Sequence, residues 1–189
     1  MQACYKYSLH FGFTFLAMLI MGFVNGQGNN ELPARKKLTT RDFKGVPDEN
    51  VDYLANTNPV VSLTLYGATN CPENGKIKLK VETKISLGEK TWMKLSKIKK
   101  PELLSALLSH EQGHYDLGEV FSIDLKRKLS AICFDKKRYN IQVDSVYKSM
   151  FARYDTLQRR YDTETGYMRN NEMQAKWKQK IAGMLKDMQ

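Results

Sequence analysis

Two histidines and a glutamate lie close together near the middle of the chain, in the order His110, Glu111, Gln112, Gly113 and His114. On an α-helix, positions four apart differ by about 40° around the axis and by about 6 Å along it, so both imidazoles can reach one ion. Glu111 lies about 60° from His114, so its carboxylate can take a proton from a metal-bound water without being a ligand. This HExxH spacing predicts a hydrolytic metal site. Zinc (Zn2+) is the expected cofactor because neutral imidazole suits it and a catalytic site keeps one position open for water.

The third protein ligand of this site is open. His110 and His114 are the only histidines after residue 26, so the third ligand must be a carboxylate, a phenolate or water. Glu119 is nearest in sequence, but it lies about 140° from His114 on a straight helix, which favours a supporting or structural role. Asp116 either orients the helix surface or is a solvated helix residue, and the second reading is favoured. A later segment offers further candidates: Asp162, Glu164, Tyr167 and Glu172.

Hydrophobic patterning predicts the elements that must hold the site. Residues 60–66 are rich in β-branched and apolar side chains, and residues 77–85 alternate apolar side chains with charged ones, mostly lysine, so both are expected to be strands. Trp92 and Met93 are candidates for another strand. These strands precede the helical part of the chain, which indicates an α+β fold with a small antiparallel sheet.

The helical part begins at Pro101, a residue suited to the first turn of a helix, and its apolar spacing continues to about residue 129. Within this long HExxH helix, Gly113 and Gly118 each cost about 1 kcal/mol, so close packing or a ligand should compensate. Two further C-terminal helices are predicted at residues 143–161 and 173–185, separated by a loop at residues 162–171.

The first 26 residues have the parts of a signal peptide: a positive Lys6, an apolar run at residues 11–24, and small residues before a cut at Gln27. The run of 14 residues is too short to span a bilayer, so no transmembrane anchor is expected after cleavage. Residues 27–37 are polar and are expected to form a flexible leader, and residues 38–189 a single domain. The expected location is secreted or periplasmic.

Two cysteines remain after the predicted cleavage, Cys71 and Cys133, and they form either one disulfide or two buried free thiols. The chain carries a formal net charge of +10, and residues 76–100 contain nine lysines and two glutamates. This basic segment indicates either a soluble sheet surface or contact with an anionic polymer.

Five short motifs are spread along the chain after the predicted signal: residues 38–45 (LTTRDFKG), Trp92, residues 107–116 (LLSHEQGHYD), residues 161–165 (YDTET) and residues 174–177 (QAKW). In their order and spacing, these motifs resemble a bacterial family of predicted secreted zinc-dependent proteases of unknown function. The resemblance spans most of the chain after the predicted signal, from about Leu38 to Ile181.

This resemblance implies a zincin-like metalloprotease domain in which His110 and His114 bind zinc and Glu111 is the catalytic base. Members of the family tend to carry a histidine shortly after the Tyr-Asp-x-x-Thr motif, where this chain has Tyr167. Tyr167 is therefore the leading third ligand, although its phenol must lose a proton whose pKa is normally near 10.

Two functions fit these observations. The first is hydrolysis of peptide bonds in a peptide or protein substrate, with Glu111 as base and the lysine-rich strand pairing with an extended substrate. Because no histidine is left to stabilise the oxyanion, Tyr115, Tyr167 or an arginine would have to assist. The second is a non-catalytic envelope or binding protein derived from a zinc protease, with an incomplete metal site and a basic surface that holds an anionic cell-surface polymer. No nucleic-acid partner is expected, because the lysines are not interleaved with stacking aromatic residues.

Overall fold

The computed structural model describes the backbone of residues 5–8 and all of residues 35–188. Within these ranges the chain forms a four-stranded antiparallel sheet, a separate two-stranded sheet and three α-helices. The strands are β1 (Tyr5–Ser8), β2 (Ala55–Asn56), β3 (Pro59–Asn70), β4 (Lys76–Leu87), β5 (Trp92–Met93) and β6 (Cys133–Asp135). The helices are α1 (Pro101–Ala131), α2 (Tyr139–Thr165) and α3 (Asn171–Lys186). The predicted α+β order of a small antiparallel sheet, a long HExxH helix and two C-terminal helices is confirmed.

The larger sheet has the strand order β1-β3-β4-β6, and all neighbouring strands are antiparallel. The turn between β3 and β4 contains Gly75 at a φ of 78°, a conformation that favours glycine. One face of the sheet is buried and the lysines of β4 lie on the other, exposed face, as the alternation predicted. The buried residues of this face are Val61, Leu63, Leu65, Ile77, Leu79 and Val81.

Helix α1 covers the buried face of this sheet. Pro101 occupies the first turn, where its missing N–H would have had no partner in the helix. Leu117, Leu125 and Leu129 have no exposed surface and lie in the main apolar core with the sheet residues. This long helix is therefore the central support of the fold.

The two glycines of α1 allow other elements to approach its backbone. A Cβ added to Gly118 would lie 2.7 Å from the Cβ of Pro59, and a Cβ added to Gly113 would lie 2.5 Å from Cζ of Tyr161. Real Cβ atoms essentially never make contacts this short. Close packing thus compensates for the cost of glycine inside the helix.

Helices α2 and α3 pack against α1 and against each other. Trp177 of α3 is 1% exposed, lies edge-on to the ring of Tyr161 and donates a hydrogen bond of 2.8 Å to Glu164. Helix α2 continues four residues beyond its predicted end and stops at Gly166, whose φ of 55° is the usual left-handed end of a helix. The prediction of a loop over residues 162–171 is therefore wrong for residues 162–165, which form the last turn of α2 and include Asp162.

A disulfide joins Cys71, which follows β3, to Cys133 at the start of β6, 62 residues later. The bond lies where β6 pairs with the first residues of β4. It thus holds the short edge strand, and with it the connection between α1 and α2, on the sheet.

The chain before β2 is anchored on α1. Leu38 is 4% exposed, and its N–H donates a hydrogen bond of 2.7 Å to Oε1 of Gln112, whose Nε2 donates one of 3.0 Å to the carbonyl of Lys36. Residues 35–37 of the predicted flexible leader are therefore held against the helix. The rest of the leader lies outside the described residues.

The signal-peptide prediction for residues 1–26 also lies outside the described residues, apart from the backbone of β1. Strand β1 pairs with residues 62–65 of β3, so cleavage after residue 26 would remove it from that edge of the sheet. No helix within the described ranges has the length and hydropathy needed to cross a bilayer.

Gly113→Ala is expected to lower the melting temperature although alanine favours helix more than glycine does. The new methyl group would displace Tyr161, at a cost of about 1–3 kcal/mol for overpacking, against about 1 kcal/mol gained in helix propensity. Gly183→Ala on α3 is the matched control, because no atom lies within 4 Å of its Cβ position. Thermal unfolding of both variants tests this. A melting temperature for Gly113→Ala equal to that of Gly183→Ala would contradict the packing argument.

Replacing both Cys71 and Cys133 with serine is expected to lower the free energy of unfolding by about 2–5 kcal/mol. The disulfide restricts a loop of 62 residues in the unfolded chain, and its loss restores that entropy. Urea denaturation measures the change, and the reduced wild-type protein should unfold like the variant. A variant as stable as the oxidised protein would show that β6 is held without the bond.

Candidate metal centre

Three side chains from two helices meet at one point. His110 and His114 of α1 have their Nε2 atoms 3.3 Å apart. Oδ1 of Asp162, from α2, lies 3.2 Å from Nε2 of His110 and 2.9 Å from Nε2 of His114. The ligand atoms of all three residues lie within 4.8 Å of one another and could hold a metal ion.

Asp162 reaches this point because of the face of α2 that packs on α1. Tyr161 inserts its ring against Gly113, and its hydroxyl donates a hydrogen bond of 2.9 Å to the carbonyl of His110. The ring also stacks on the imidazole of His110, with centroids 4.9 Å apart. The residue that follows Tyr161 along the chain is therefore brought next to both histidines.

The outer nitrogen of His114 faces an amide. Its Nδ1 lies 2.5 Å from Oε1 of Gln158, and Nε2 of the same glutamine donates a hydrogen bond of 3.0 Å to the carbonyl of His114. A carbonyl oxygen can only accept, so the amide NH2 must face it and Oε1 must face the ring. Nδ1 of His114 is then the donor, and a neutral ring has its lone pair on Nε2.

His110 is held in the same way by α3. Its Nδ1 lies 3.1 Å from Oε1 of Gln174, and Nε2 of Gln174 lies 2.5 Å from the hydroxyl of Tyr161. Because that hydroxyl already donates to the carbonyl of His110, it must accept from Gln174. When neutral, each of these histidines would therefore carry its proton on Nδ1 and direct the Nε2 lone pair towards Asp162.

Two lone pairs and a carboxylate that converge in a partly buried site need a positive charge between them. Burial alone would lower the pKa of His114, but the hydrogen bond with Asp162 and the charge of Glu111 raise it to about 9. Burial alone would raise the pKa of Asp162, but hydrogen bonds donated from a proton on Nε2 of His110 or His114 hold it well below the usual range. The same geometry that attracts a proton is suited to a metal cation.

Glu111 is the fourth polar group at this point. Its side chain is 3% exposed, and its Oε2 has no hydrogen-bond partner among the described residues. A buried carboxylate oxygen without a partner is costly, so a donor such as a water molecule is needed there. The structure thus leaves Glu111 with an acceptor that no other described side chain uses.

A cleft of about 1260 Å³ runs over the centre. It is lined by His110, Glu111 and His114 of α1, by one face of α2, and by residues 52–59 on and around β2. Its volume exceeds the roughly 300–1,000 Å³ that is usual for small-molecule pockets. The space therefore suits a segment of a polymer better than a small metabolite.

Tyr167, the third ligand inferred from the resemblance, does not take that position. Its side chain is 62% exposed at the cleft, and the group that contacts the two histidines is Asp162. The reason is the length of α2: the helix places Asp162 over the histidines and ends before Tyr167, which follows the capping Gly166. Asp162 was one of the candidates in the sequence, but its predicted position in a loop was wrong.

The remaining carboxylate candidates lie away from the centre. Asp116 is buried, pairs with Arg35 at 2.6 Å and accepts a hydrogen bond from Gln112, so its reading as a solvated residue is wrong. Burial raises the pKa of both Asp116 and Glu119, and Glu119 lies near Asp116 rather than near the histidines. Glu164 bonds to Trp177 and Glu172 to Lys176.

Gln158 and Gln174 are the residues at the centre that the sequence pattern did not single out for chemistry. A signal for α2 was present, since one helical face carries polar groups among buried aromatic side chains. That face consists of Tyr154, Gln158, Tyr161, Asp162 and Thr165, at helical spacing. An amide and a carboxylate on such a face indicate a polar partner on the neighbouring helix.

Asp162→Ala is expected to weaken metal binding by more than about 100-fold, because the loss of a ligand should exceed the roughly 10-fold to 100-fold effect of losing a group behind a ligand. Tyr167→Phe should bind within about twofold of the wild-type protein. Titration of metal-free protein with Zn2+ against a chromogenic chelator measures both. If Tyr167→Phe loses binding and Asp162→Ala keeps it, the assignment of Asp162 is wrong.

The part of the chain that matches a known protein family includes every residue of this centre except Gln174. A family described as "Bacterial protein of unknown function (DUF922)" matches residues 35–171, from the segment anchored on α1 to the start of α3. No curated protein and no solved structure matches the chain. The match shows a bacterial family of unknown function and assigns no activity to it. Because it covers most of the sequence, the chain belongs to the DUF922 family of bacterial proteins.

Proposed function

We propose that the protein is an exported zinc-dependent peptidase that cleaves peptide bonds in extended segments of a peptide or protein. The observation that carries the proposal is the convergence of the Nε2 atoms of His110 and His114 with Asp162, beside a buried Glu111 oxygen that lacks a partner. Export rests on the apolar run near the start of the chain and on the disulfide, which is typical of oxidising compartments.

The donor set fits zinc. Two neutral imidazoles and one carboxylate are a combination found in catalytic zinc sites, which keep one position open. A zinc ion bound there would supply a Lewis acid and lower the pKa of a water molecule from 15.7 to about 7. The cleft leads to this point, so a substrate carbonyl can reach it from the side that the histidines leave open.

Glu111 is proposed to move the proton during hydrolysis. Its unpartnered Oε2 accepts a proton from the attacking water, whose oxygen forms a bond with the carbonyl carbon of the substrate. The same carboxyl group then donates that proton to the amine nitrogen as the carbon–nitrogen bond breaks. Glu111 begins and ends this cycle as a carboxylate, so one glutamate suffices as base and acid.

Strand β2 is proposed to bind the substrate backbone. The N–H of Lys94 donates to the carbonyl of Leu54 at 2.8 Å, and Asn56 pairs with Trp92. Since hydrogen-bonding direction alternates along an antiparallel strand, the backbone groups of Ala55 and Thr57 point away from β5. These residues line the cleft, and β5 is the only described strand that pairs with β2, so an extended peptide can add to the open edge.

This assignment replaces the lysine-rich strand as the predicted partner of the substrate. Strand β4 pairs along its length with β3, and none of its described residues lines the cleft. Its exposed lysines instead face solvent on the far side of the sheet from α1. They remain available for an anionic cell-surface polymer, the partner expected for the alternative of a non-catalytic binding protein.

Tyr167 is proposed to assist the oxyanion. Tyr115, one of the alternatives, is 5% exposed and packs in the apolar cluster around Leu38, away from the cleft. Tyr167 lines the cleft and has a φ of 51°, and the next residue, Met168, has a φ of 70°. Left-handed backbone at two non-glycine residues costs about 1 kcal/mol or more each and is common at functional sites. Arg169 lines the same part of the cleft.

Glu111→Gln is expected to lower peptide hydrolysis by about 100-fold to 10,000-fold, because it removes the proton acceptor and leaves the ligands in place. The purified variant should still contain about one zinc per chain, as measured by elemental analysis. The control is Glu102→Gln in the exposed first turn of the same helix, which should hydrolyse an unstructured protein such as casein at the wild-type rate. Survival of hydrolysis in Glu111→Gln, or a wild-type chain that stays metal-free at micromolar zinc, would overturn the proposal.

A further inference from the structure

Both histidines of the candidate centre are supported by a glutamine. Histidines that bind metals usually donate their second ring N–H to a carboxylate, a main-chain carbonyl or water. Here the acceptors are Oε1 of Gln158 on α2 and Oε1 of Gln174 on α3. Two neutral side chains from different helices thus occupy the positions in which carboxylates are common.

We propose that Gln158 and Gln174 are positioning residues that hold His110 and His114 ready for one divalent cation and add no charge to the space between the ligands. The proposal rests on the metal site described above, but not on the reaction catalysed there. In it, the two amides orient the histidine ligands, and because they are neutral they also limit the negative charge of the site.

Orientation follows from the second hydrogen bond of each amide. Gln158 bonds to the ring and to the main-chain carbonyl of the same residue, His114, and its Nε2 also lies 2.5 Å from the hydroxyl of Tyr154. Rotation of this amide by 180° would place its NH2 group against Nδ1–H of His114 and its Oε1 against the carbonyl of His114, so both hydrogen bonds would be lost. The amide therefore fixes both the ring angle and the position of the proton on His114.

Gln174 reaches the main chain of the other histidine through a tyrosine. Its Nε2 donates to the hydroxyl of Tyr161, which donates to the carbonyl of His110. Each histidine is thus held at its ring and at its backbone by one connected set of bonds. Because Gln174 lies on α3, this helix contributes to the centre although none of its side chains is a ligand.

Charge balance follows from the neutral amides. Asp162 and Glu111 supply two negative charges beside the histidines, and one divalent cation would neutralise both. Glutamates at both positions 158 and 174 would raise the total to four negative charges in a partly buried space. Uncompensated buried charge is strongly destabilising, so the amides permit the metal-free protein to fold before it binds the metal.

The test compares Zn2+ affinity in Gln158→Leu and Gln174→Leu with that in Gln179→Leu, an exposed glutamine on α3, by competition with a chromogenic chelator. The first two variants should bind Zn2+ about 10-fold to 100-fold more weakly, whereas Gln179→Leu should match the wild-type protein. Binding by both test variants within twofold of this control would overturn the proposal.

Gln158→Glu and Gln174→Glu separate orientation from charge. Each glutamate can still accept from Nδ1–H but cannot donate the second hydrogen bond, so its Zn2+ affinity should exceed that of the matching leucine variant, while the metal-free variants should melt at lower temperature. Glutamate variants that bind Zn2+ as weakly as the leucine variants would contradict the orienting role. Metal-free glutamate variants as stable as the wild-type protein would contradict the charge argument.

Nitrogen-15 NMR of the zinc-loaded wild-type protein tests the orientation without any substitution. Both histidines should bind Zn2+ through Nε2 and carry a proton on Nδ1, and coordination through Nδ1 of either one would overturn the proposal. Zinc binding without peptide hydrolysis would defeat the proposed peptidase and leave these comparisons valid. Failure of the wild-type chain to bind Zn2+ would defeat both.

Discussion

The contact between Tyr161 and the backbone of α1 at Gly113 is the interaction on which the candidate centre depends. Because position 113 has no side chain, the tyrosine ring lies against the helix, stacks on His110 and donates to its carbonyl. The following residue, Asp162, then meets both histidines, and Gln158 one turn earlier meets His114. The glycine inside the motif is therefore required for helix packing, whereas its neighbours in the motif are required for the proposed chemistry.

Electrostatics explains why these polar groups can share a largely buried site. The protons on Nδ1 of both rings point outward to amide oxygens, so the lone pairs point inward. Together with Asp162 they form a site that needs a cation, and the raised pKa of His114 expresses the same preference. Glu111 lies beside this site with an oxygen that is free to accept. The neutral glutamines thus orient the histidines towards the position to which the nearby carboxylates attract a cation.

The remaining elements support and frame this point. The sheet and the apolar residues of α1 form the main core, the disulfide holds β6 to the sheet, and Trp177 packs α3 on α2 so that Gln174 can reach His110. The second, smaller sheet borders the cleft instead, and one backbone edge of its strand β2 is paired with no described strand. One sheet thus stabilises the metal-binding helix, and the other borders the space in which a substrate would lie.

Local patterns in the sequence were sufficient for the order of the main strands and helices and for His110, Glu111 and His114 of the centre. The spacing of His110 and His114 is a property of a single helix, and the strand alternation and apolar spacing that predicted the α+β order are equally local. The third group was not determined in this way, since Asp162, Tyr167 and two glutamates were all near in sequence. The end of α2 selects the ligand among these candidates: because the helix continues to Thr165, Asp162 lies on the helical face that meets the histidines. Where the helix ends depends on its packing against α1 and α3. The paired glutamines, the buried Asp116 and the open edge of β2 also depend on contacts between distant residues. Helical periodicity within one segment can be read from the chain, but the meeting of two helices at a glycine is decided only when the whole core is packed.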